Sequence, residues 1–455
     1  MRNSTDKFPF SAVRSRYSEA RKWMISPVSR QSWYALDCLN FLVASVQIGL
    51  GTFVAFCLAS LGWSKESVGL ALASGQIAGV LGQIPGGAIT DAITWKRGFA
   101  ALGILMSMGA ALIFAAAPQV TLVFVAEILD GLTAAIVPLA IAAISLGLVG
   151  RRAMSSRTGR NYRFAAAGIV VTAVAQGLIG SYFAKNAIFF ATAALCVPAL
   201  VALSFIKPDE IDYCRACNAV PGEGAKPQTV RTLVRNRTLL YFVLCLVLFQ
   251  FADASVLPLL SQNIGTSKAE SSSLQITGLI VMAQLVVMFL APWVGYLSEA
   301  YGRKPLLMLG FGLEAIRSVL LSTTTTYGFL LVSQLLGGLT SAIVEVLIIV
   351  IITDLTAGTG RFNLVGGTVT MLMGIAGAIS VAASGFIFHY GGSYACIHDF
   401  CRCSWNGNDL SVVTPPRNQA GAIRRLMAQA SGRFTRPLRG GASADGLSEP
   451  RTLAS

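Results

Sequence analysis

Eleven long apolar runs limit what this chain can fold into. A bilayer core of about 30 Å needs roughly 20 apolar residues per helix, and each run approaches or exceeds that length. Only 12% of the residues are charged, whereas soluble domains carry about a quarter. The sequence therefore predicts an all-α polytopic membrane protein. The predicted spans are 35–61, 68–90, 98–117, 121–148, 163–184, 187–206, 239–263, 273–297, 305–323, 327–352 and 363–388.

The distribution of Lys and Arg among the loops predicts the orientation of the spans. With the N-terminus inside, the segments on that side hold 23 Lys and Arg residues up to residue 388, and the opposite side holds three. Cytoplasmic loops carry this excess in multi-pass proteins, so we expect a cytoplasmic N-terminus. A net charge of +14 could also suit nucleic acid or anionic lipid, but we interpret it as this loop bias, with no nucleic-acid partner.

The two halves of the chain repeat each other in four places. The matching stretches occur in the same order and at similar offsets, which indicates a duplicated six-helix unit. Parallel repeats of this kind are typical of transporters with a substrate site between the halves, near the bilayer midplane. The matches begin at 62 and 265, at 86 and 295, at Ala126 and Ser333, and at Arg163 and Arg361.

This organisation predicts five regions. Pro, Gly and charge mark the central one as a linker. It contains a lone Cys-x-x-Cys, Cys214 and Cys217, which lacks a second pair or a nearby His and is interpreted as chance. The regions are a cytoplasmic N-terminal tail (1–34), an N-terminal six-helix bundle (35–206), a cytoplasmic central loop (207–238), a C-terminal bundle with helices seven to eleven (239–388) and an atypical tail (389–455).

The loop between the second and third spans of each half has a recognisable motif. From about residue 30 to 390 the chain resembles the major facilitator superfamily, whose motif reads roughly Gly-x-x-x-Asp-x-x-Gly-Arg-(Lys/Arg), and it looks like a bacterial efflux member. The first copy has Thr94 in place of Gly, and the second has Glu in place of Asp. The resemblance implies two pseudo-symmetric six-helix bundles and a conformational latch. The latch residues would be Gly87, Asp91, Lys96, Arg97, Gly295, Glu299, Gly302, Arg303 and Lys304.

Two interpretations of this motif remain open. An acid at a helix end beside a short basic turn can form a charge-assisted contact with a neighbouring helix. Breaking and remaking that contact suits a rocking motion between two states. Alternatively, the basic pair only determines the topology. The family resemblance favours the latch.

Polar and ionisable side chains within the spans are the candidates for transport chemistry, because they are costly in a bilayer. The resemblance implies that the first and fourth helices of each half line one cavity. A buried carboxyl group there can exchange a proton as access alternates, although acids that pair with other helices for packing are the alternative. The cavity candidates are Gln47, Glu127, Asp130, Asp253, Gln334 and Glu345.

Asp253 is the expected proton carrier, because it lies mid-span without a nearby basic residue in its own helix. Glu314 and Arg317 are three residues apart in the ninth span, so we expect them to neutralise each other. The chain has no Walker sequence, which argues against ATP as the energy source.

These features predict a secondary transporter and not an enzyme. It would move a small molecule across the bacterial inner membrane by alternating access, as a proton-coupled antiporter for efflux of cationic or amphiphilic compounds. Its expected partners are the substrate, protons and the lipid bilayer, it would act as a monomer, and no cofactor, catalytic residue or metal ligand is predicted. An importer of a neutral solute such as a sugar, and a non-transporting protein without helix twelve, are the alternatives.

Residues 389–455 do not continue the pattern. No apolar run of spanning length follows Tyr390, so a twelfth helix is missing or replaced, and eight arginines would lie on the wrong side of the membrane. We interpret the tail as disordered or frameshifted, because reverse translation of His398 to Trp405, read one base further along, restricts the shifted frame mostly to apolar residues. The competing interpretation is a metal site whose spacing fits no standard zinc pattern. Its ligands would be Cys396, His398, Asp399, Cys401 and Cys403.

Overall fold

The described part of the chain is mostly helical. A computed structural model describes residues 28–116, 119–182, 186–219, 236–256, 269–323 and 327–383, among which there is no strand. All of these residues belong to one compact unit. The helices are α1 (Arg30–Ser60), α2 (Lys65–Ala92), α3 (Lys96–Ala116), α4 (Val120–Tyr182), α5 (Ala187–Phe205), α6 (Tyr213–Ala216), α7 (Arg237–Asp253), α8 (Ala269–Ala300), α9 (Arg303–Thr323), α10 (Tyr327–Leu355) and α11 (Phe362–Ala383).

Most of these helices have the length and composition of membrane spans. In the described part of the chain, eight helical stretches are long and apolar enough to cross a bilayer, and one of them, Val120–Gln176, contains the start of two predicted spans. Two predicted spans correspond to helices outside this set: α7, which has only 17 residues, and α9, which carries four charged residues. Each of the eleven predicted spans therefore overlaps a helix among the described residues. The prediction of an all-α polytopic membrane protein is confirmed.

Helix α2 shows how the sequence divides between lipid and protein. Leu70, Ile77 and Leu81 recur at helical spacing and are 59–65% exposed, which a hydrocarbon environment stabilises. On another side of the helix, α2 and α4 touch through glycines: a Cβ on Gly131 would overlap the carbonyl oxygen of Gly75. Small residues allow such close backbone approach in membranes. One side of α2 thus faces lipid while the other packs on α4.

Helix α4 consists of two helical stretches that meet at a kink at Gly150, where φ is 67° and ψ is 175°. The sequence predicted two spans, 121–148 and 163–184, with a charged loop between them. The structure instead continues the helix through 151–163. Charged residues can enter this packed helix because Asp37 of α1 forms ion pairs with Arg157 and Arg160. The part of α4 after Gly150 is called its second arm below.

Glycine contacts repeat in the two halves with one constant offset. In each pair a Cβ on the glycine would overlap a backbone carbonyl of the partner helix, so the helices meet at backbone distance. Helix α2 packs on α11 in the way that α8 packs on the second arm of α4, which confirms the pseudo-symmetry. The pairs are Gly87 with Asn363, Gly295 with Ser155, Gly367 with Gln83, and Gly159 with Ala291.

The same offset corrects one of the sequence matches. The contacts make Ser155 the counterpart of Asn363, so Arg361 corresponds to Ala153 and not to Arg163. The match between the two Arg-Phe stretches was therefore in the wrong register. The reason is that the helix begins right after Gly150, well before the apolar run that marks the fifth span in the sequence.

Two large clusters of buried apolar side chains hold the described helices together. The first is drawn from α1 to α5 with Ile206 and Ile211, and the second from α7 to α11 together with Leu146, Met154 and Ala166 of α4. The domain boundaries predicted from sequence stay a prediction. The place of a twelfth helix, the tail 389–455 and the cysteine-rich stretch within it lie outside the described residues.

Candidate functional site

Asp91, near the end of α2, caps the first turn of α11. Its Oδ1 accepts hydrogen bonds from the backbone N–H and the Nδ2 of Asn363, at 3.1 and 2.8 Å, and its Oδ2 accepts one from the N–H of Leu364 at 2.8 Å. The first N–H groups of a helix lack partners within it and carry the positive end of its dipole. The carboxylate therefore makes a charge-assisted contact between the two halves. The site at which α2 ends, α11 begins and residues 207–219 lie is called the central-loop end.

The basic residues of the first loop bond within the first half. Lys96 is buried and donates from Nζ to the carbonyl oxygens of Thr90 at 2.6 Å and Ile93 at 3.1 Å, which closes the end of α2. Arg97 donates to the carbonyl oxygen of Ser204 in α5, at 3.0 Å. Of the four candidates in this copy, Gly87 and Asp91 contact α11, while the two basic residues shape the loop.

The second copy of the motif meets the second arm of α4. The carboxylate of Glu299 accepts a hydrogen bond from the backbone N–H of Ser156. Ser155 donates from Oγ to the carbonyl oxygen of Gly295 at 2.8 Å and is also hydrogen-bonded to the hydroxyl of Ser298. The acid of each motif copy therefore bonds to a backbone N–H of the other half.

The turn of the second copy differs from that of the first. Gly302 has a φ of 92°, a conformation that a β-branched residue avoids, and Thr94 at the corresponding place does not adopt it. Arg303 pairs with Asp354 through Nε at 3.0 Å, so it ties α9 to α10 within the second half. Lys304 is half-buried at the start of α9.

Arg317 of α9 binds two carboxylates at once. Its Nη1 forms an ion pair with Asp253 of α7 and lies 3.2 and 3.1 Å from the two carboxylate oxygens of Glu314. The side chains of Arg317 and Glu314 are buried, whereas that of Asp253 is 30% exposed. The sequence predicted the pair of Glu314 with Arg317. It gave Asp253 no basic partner, and that expectation is corrected because Arg317 reaches it from another helix.

Two residues of α10 complete this group. Gly337 leaves the space for the guanidinium, since a Cβ there would lie 2.8 Å from Cζ of Arg317. Glu345 interacts electrostatically with Asp253. One guanidinium thus binds two carboxylates, with the carboxyl group of Glu345 near one of them, and an unpaired charge is costly in a low-dielectric interior. The group can be neutral only when carboxyls hold protons.

The candidates of the first half form a separate group. Glu127 and Asp130 of α4 interact electrostatically, and Glu127 packs so closely on α2 that a Cβ on Gly75 would lie 2.6 Å from its Oε2. Within the described ranges, no hydrogen bond or ion pair joins these two acids to Asp253 or Glu345. Gln334 is buried, its Nε2 has no hydrogen-bond partner among the described residues, and Gln47 is half-buried.

A further charged cluster was missed by the sequence reasoning. Asp37 of α1 accepts hydrogen bonds from Arg157 at 2.7 Å and from Arg160 at 2.6 Å. Arg157 is fully buried, with its Cζ 4.8 Å from the ring centre of Trp33. Asp37 lies inside the predicted span 35–61, and that position is the signal that could have marked it. Cys217 and Asn218, described below, lie outside the predicted spans and carried no such signal.

The fold and the paired loops have counterparts among known proteins. A sequence model of the Major Facilitator Superfamily matches residues 36–289 and 242–401. The chain belongs to the major facilitator superfamily. Two MFS-type transporters of Mycobacterium tuberculosis, MT2531 of strain CDC 1551 / Oshkosh and Rv2456c of strain ATCC 25618 / H37Rv, are each 31% identical over 394 residues, which is 86% of this chain and 94% of theirs.

The fold of a solved superfamily member is similar as well. The MFS transporter FucP, in its outward conformation, matches with a TM-score of 0.69 and 14% identity, over 85% of this chain and 100% of that one. The family and the fold make this chain a multi-pass secondary transporter embedded in the membrane, and not an enzyme. The expected resemblance is confirmed.

Proposed function

We propose that this transporter exports a small cationic or amphiphilic molecule in exchange for protons, across the bacterial inner membrane, as a monomer with a cytoplasmic N-terminus. The observation that carries the proposal is the group around Arg317. Two carboxylates share its guanidinium, and one of them, Asp253, remains 30% exposed. Carboxyl groups in both halves also suit a cationic substrate.

Asp253 is the group that exchanges the proton. When a proton joins Asp253, Arg317 keeps Glu314 as its counter-ion, so this step leaves no cation unpaired in the low-dielectric interior. When Asp253 releases the proton, the shared guanidinium stabilises both carboxylates, and the three residues carry one net negative charge. A cationic substrate would compensate that charge. Proton and substrate therefore bind in alternation, as exchange requires.

The central-loop end supplies the conformational part of the proposal. With a cytoplasmic N-terminus this end faces the cytoplasm, and Asp91 joins the halves across it. Opening toward the cytoplasm would separate the carboxylate from α11 and expose both to water. Closing would remake the contact. The latch residues of both motif copies would thus bias the equilibrium between the two access states.

Reconstitution into liposomes with an enclosed pH-sensitive dye tests the proposal. Addition of a transported cationic compound should drive protons in the opposite direction. Asp253→Asn should reduce this proton movement at least roughly tenfold, because a carboxamide does not take up or release a proton near neutral pH. Asp209→Asn, which removes the same charge from an exposed residue of the central loop, should retain it. Unchanged proton movement in Asp253→Asn would refute the assignment.

Import of a neutral solute such as a sugar is the second candidate. It is favoured by Gln334, whose buried Nε2 has no partner among the described residues and could donate to a hydroxyl group. At 14% sequence identity, the similarity to FucP concerns the fold alone and does not choose between import and export. The liposome assay separates the two functions by direction: exchange moves protons against the solute, and symport moves them with it.

A further inference from the structure

Residues 212–218 of the central loop lie against both halves at the central-loop end. The segment contains α6, whose first turn is capped by the Oδ1 of Asp212, at 2.9 Å from the N–H of Cys214 and 3.1 Å from that of Arg215. The N–H of Asp212 in turn donates to the carbonyl oxygen of Gly147 in α4, at 3.2 Å. The segment is therefore a folded piece anchored on the first half.

Cys217 extends this anchor to the end of α2. Its Sγ donates to the carbonyl oxygen of Asp91 at 3.1 Å, and Nζ of Lys96 lies 3.3 Å from the same sulfur. Burial raises the pKa of the Cys217 thiol above its ordinary value, so the thiol keeps the proton that it donates. The carbonyl of Asp91 is one of the last in α2 and has no partner within the helix. Cys217 satisfies it.

Asn218 contacts the second half. Its Nδ2 donates to the carbonyl oxygen of Thr353 at 2.6 Å and to Oγ1 of Thr356 at 3.0 Å, and its own carbonyl oxygen accepts from the N–H of Gly358 at 2.8 Å. Asn218 is buried and has a φ of 61°, a conformation that Asn tolerates better than most residues. Its side chain thus bonds to the C-terminal end of α10.

The segment and Asp91 together cap α11. The N–H of Phe362 donates to the carbonyl oxygen of Cys217 at 3.4 Å, while Asp91 accepts from the next two N–H groups. Asn363 also donates from Nδ2 to the carbonyl oxygen of Ala216, at 3.3 Å. The free backbone groups at the start of α11 are therefore satisfied by residues that lie outside the second half.

We propose that residues 212–218 form a clasp that stabilises the closed state of the central-loop end, with Asn218 as a positioning residue for α10 and α11. The inference rests on the proposed function only in taking this end as one that opens. Because the clasp is anchored on the first half by Asp212 and Cys217, opening must break the bonds of Asn218 to the second half. If residues 212–218 were a surface linker with no role in gating, loss of the Asn218 bonds would not change the balance between the open and closed states.

Two variants of Asn218 isolate its contribution. Asn218→Asp keeps the size of the side chain but removes both donated hydrogen bonds and turns an oxygen toward the carbonyl of Thr353. Asn218→Gly removes the side chain while tolerating the positive φ. Asn236→Asp is the matched control, because it makes the same change in the central region and retains the oxygen that caps α7.

Fluorophores on noncanonical amino acids at Trp95 and Tyr301 report the separation of the halves in the full chain, since both residues are exposed at this end. Energy transfer gives the ratio of open to closed molecules without substrate or a proton gradient. Asn218→Asp should raise this ratio roughly tenfold and Asn218→Gly less, while Asn236→Asp should leave it unchanged. If Asn218→Asp fails to fold, Asn218→Gly alone decides.

Ratios that stay at the wild-type value in the folded Asn218 variants would overturn the clasp. Asp91→Asn separates this failure from failure of the latch: a shift with Asp91→Asn and none with the Asn218 variants removes the clasp and keeps the latch. The liposome assay on Asp253→Asn tests the proposed function alone. It changes a different residue and measures proton movement, so its failure is distinguishable from failure of the clasp.

Discussion

Neutralising Asp91 should shift the transporter toward the state that is open at the central-loop end. In Asp91→Asn the remaining Oδ1 can still accept the two hydrogen bonds from Asn363, but an NH₂ group replaces the oxygen that binds the N–H of Leu364. The loss is one charge-assisted hydrogen bond, about 1.5–3 kcal/mol, and a charge–dipole interaction of about 0.3–1 kcal/mol. Water recovers part of both in the open state.

A net effect of about 2 kcal/mol changes the ratio of open to closed molecules about 30-fold. Energy transfer between fluorophores at Trp95 and Tyr301 measures that ratio directly. Asp209→Asn is the matched control, because it removes the same charge from an exposed residue at the same end, and it should change the ratio by less than about twofold. Equal shifts in the two variants would refute the cap as an energetic contact between the halves.

Two further substitutions test packing and electrostatics at this end. Gly87→Ala should destabilise the closed state and raise the open ratio several-fold, because its Cβ would overlap the backbone of Asn363, whereas Gly69→Ala in the same helix meets nothing and should leave the ratio unchanged. Glu210→Gln should lower the thermal stability at pH 7 by about 1 kcal/mol. Burial raises the pKa of Glu210, but hydrogen bonds from Ser32 and Ser29 together lower it by more than that, so the net pKa lies below its ordinary value of 4.5. Because the folded-state pKa is depressed, the difference between Glu210→Gln and wild type should begin to shrink below pH 4.5 and disappear as pH falls through the lower folded-state pKa. Melting curves between pH 7 and about pH 3 check this, and a difference that stays constant over that range would contradict it.

The helices were predictable from sequence, whereas their mutual contacts were only partly so. Within the described ranges, hydropathy located the spans because a bilayer demands a long apolar helix for each crossing. It failed at 151–163, where the charges of Arg157 and Arg160 indicated a loop. Those charges enter a packed helix because Asp37, more than a hundred positions earlier, binds both. A local window of sequence cannot register such a partner.

The candidate site shows the same limit. Asp253 was singled out as an acid within a span, but its partner Arg317 lies on a different helix, and the sequence paired that arginine only with its neighbour Glu314. Cys217 and Asn218 were less accessible still. Their roles depend on backbone groups at three helix ends, which the sequence leaves unspecified.

The pseudo-symmetry of the fold does not extend to the energetics of its two interfaces. Glycine contacts bring α2 to α11 and α8 to α4 in the same geometry. However, α11 starts after a turn, so its first N–H groups need external acceptors, which Asp91 and Cys217 provide. The second arm of α4 begins after the kink at Gly150, and there Glu299 accepts a hydrogen bond from the N–H of Ser156, whereas Asp91 accepts three hydrogen bonds from α11. The charge of the acid should therefore contribute more at the α2–α11 interface, and this interface is also the one against which the clasp lies.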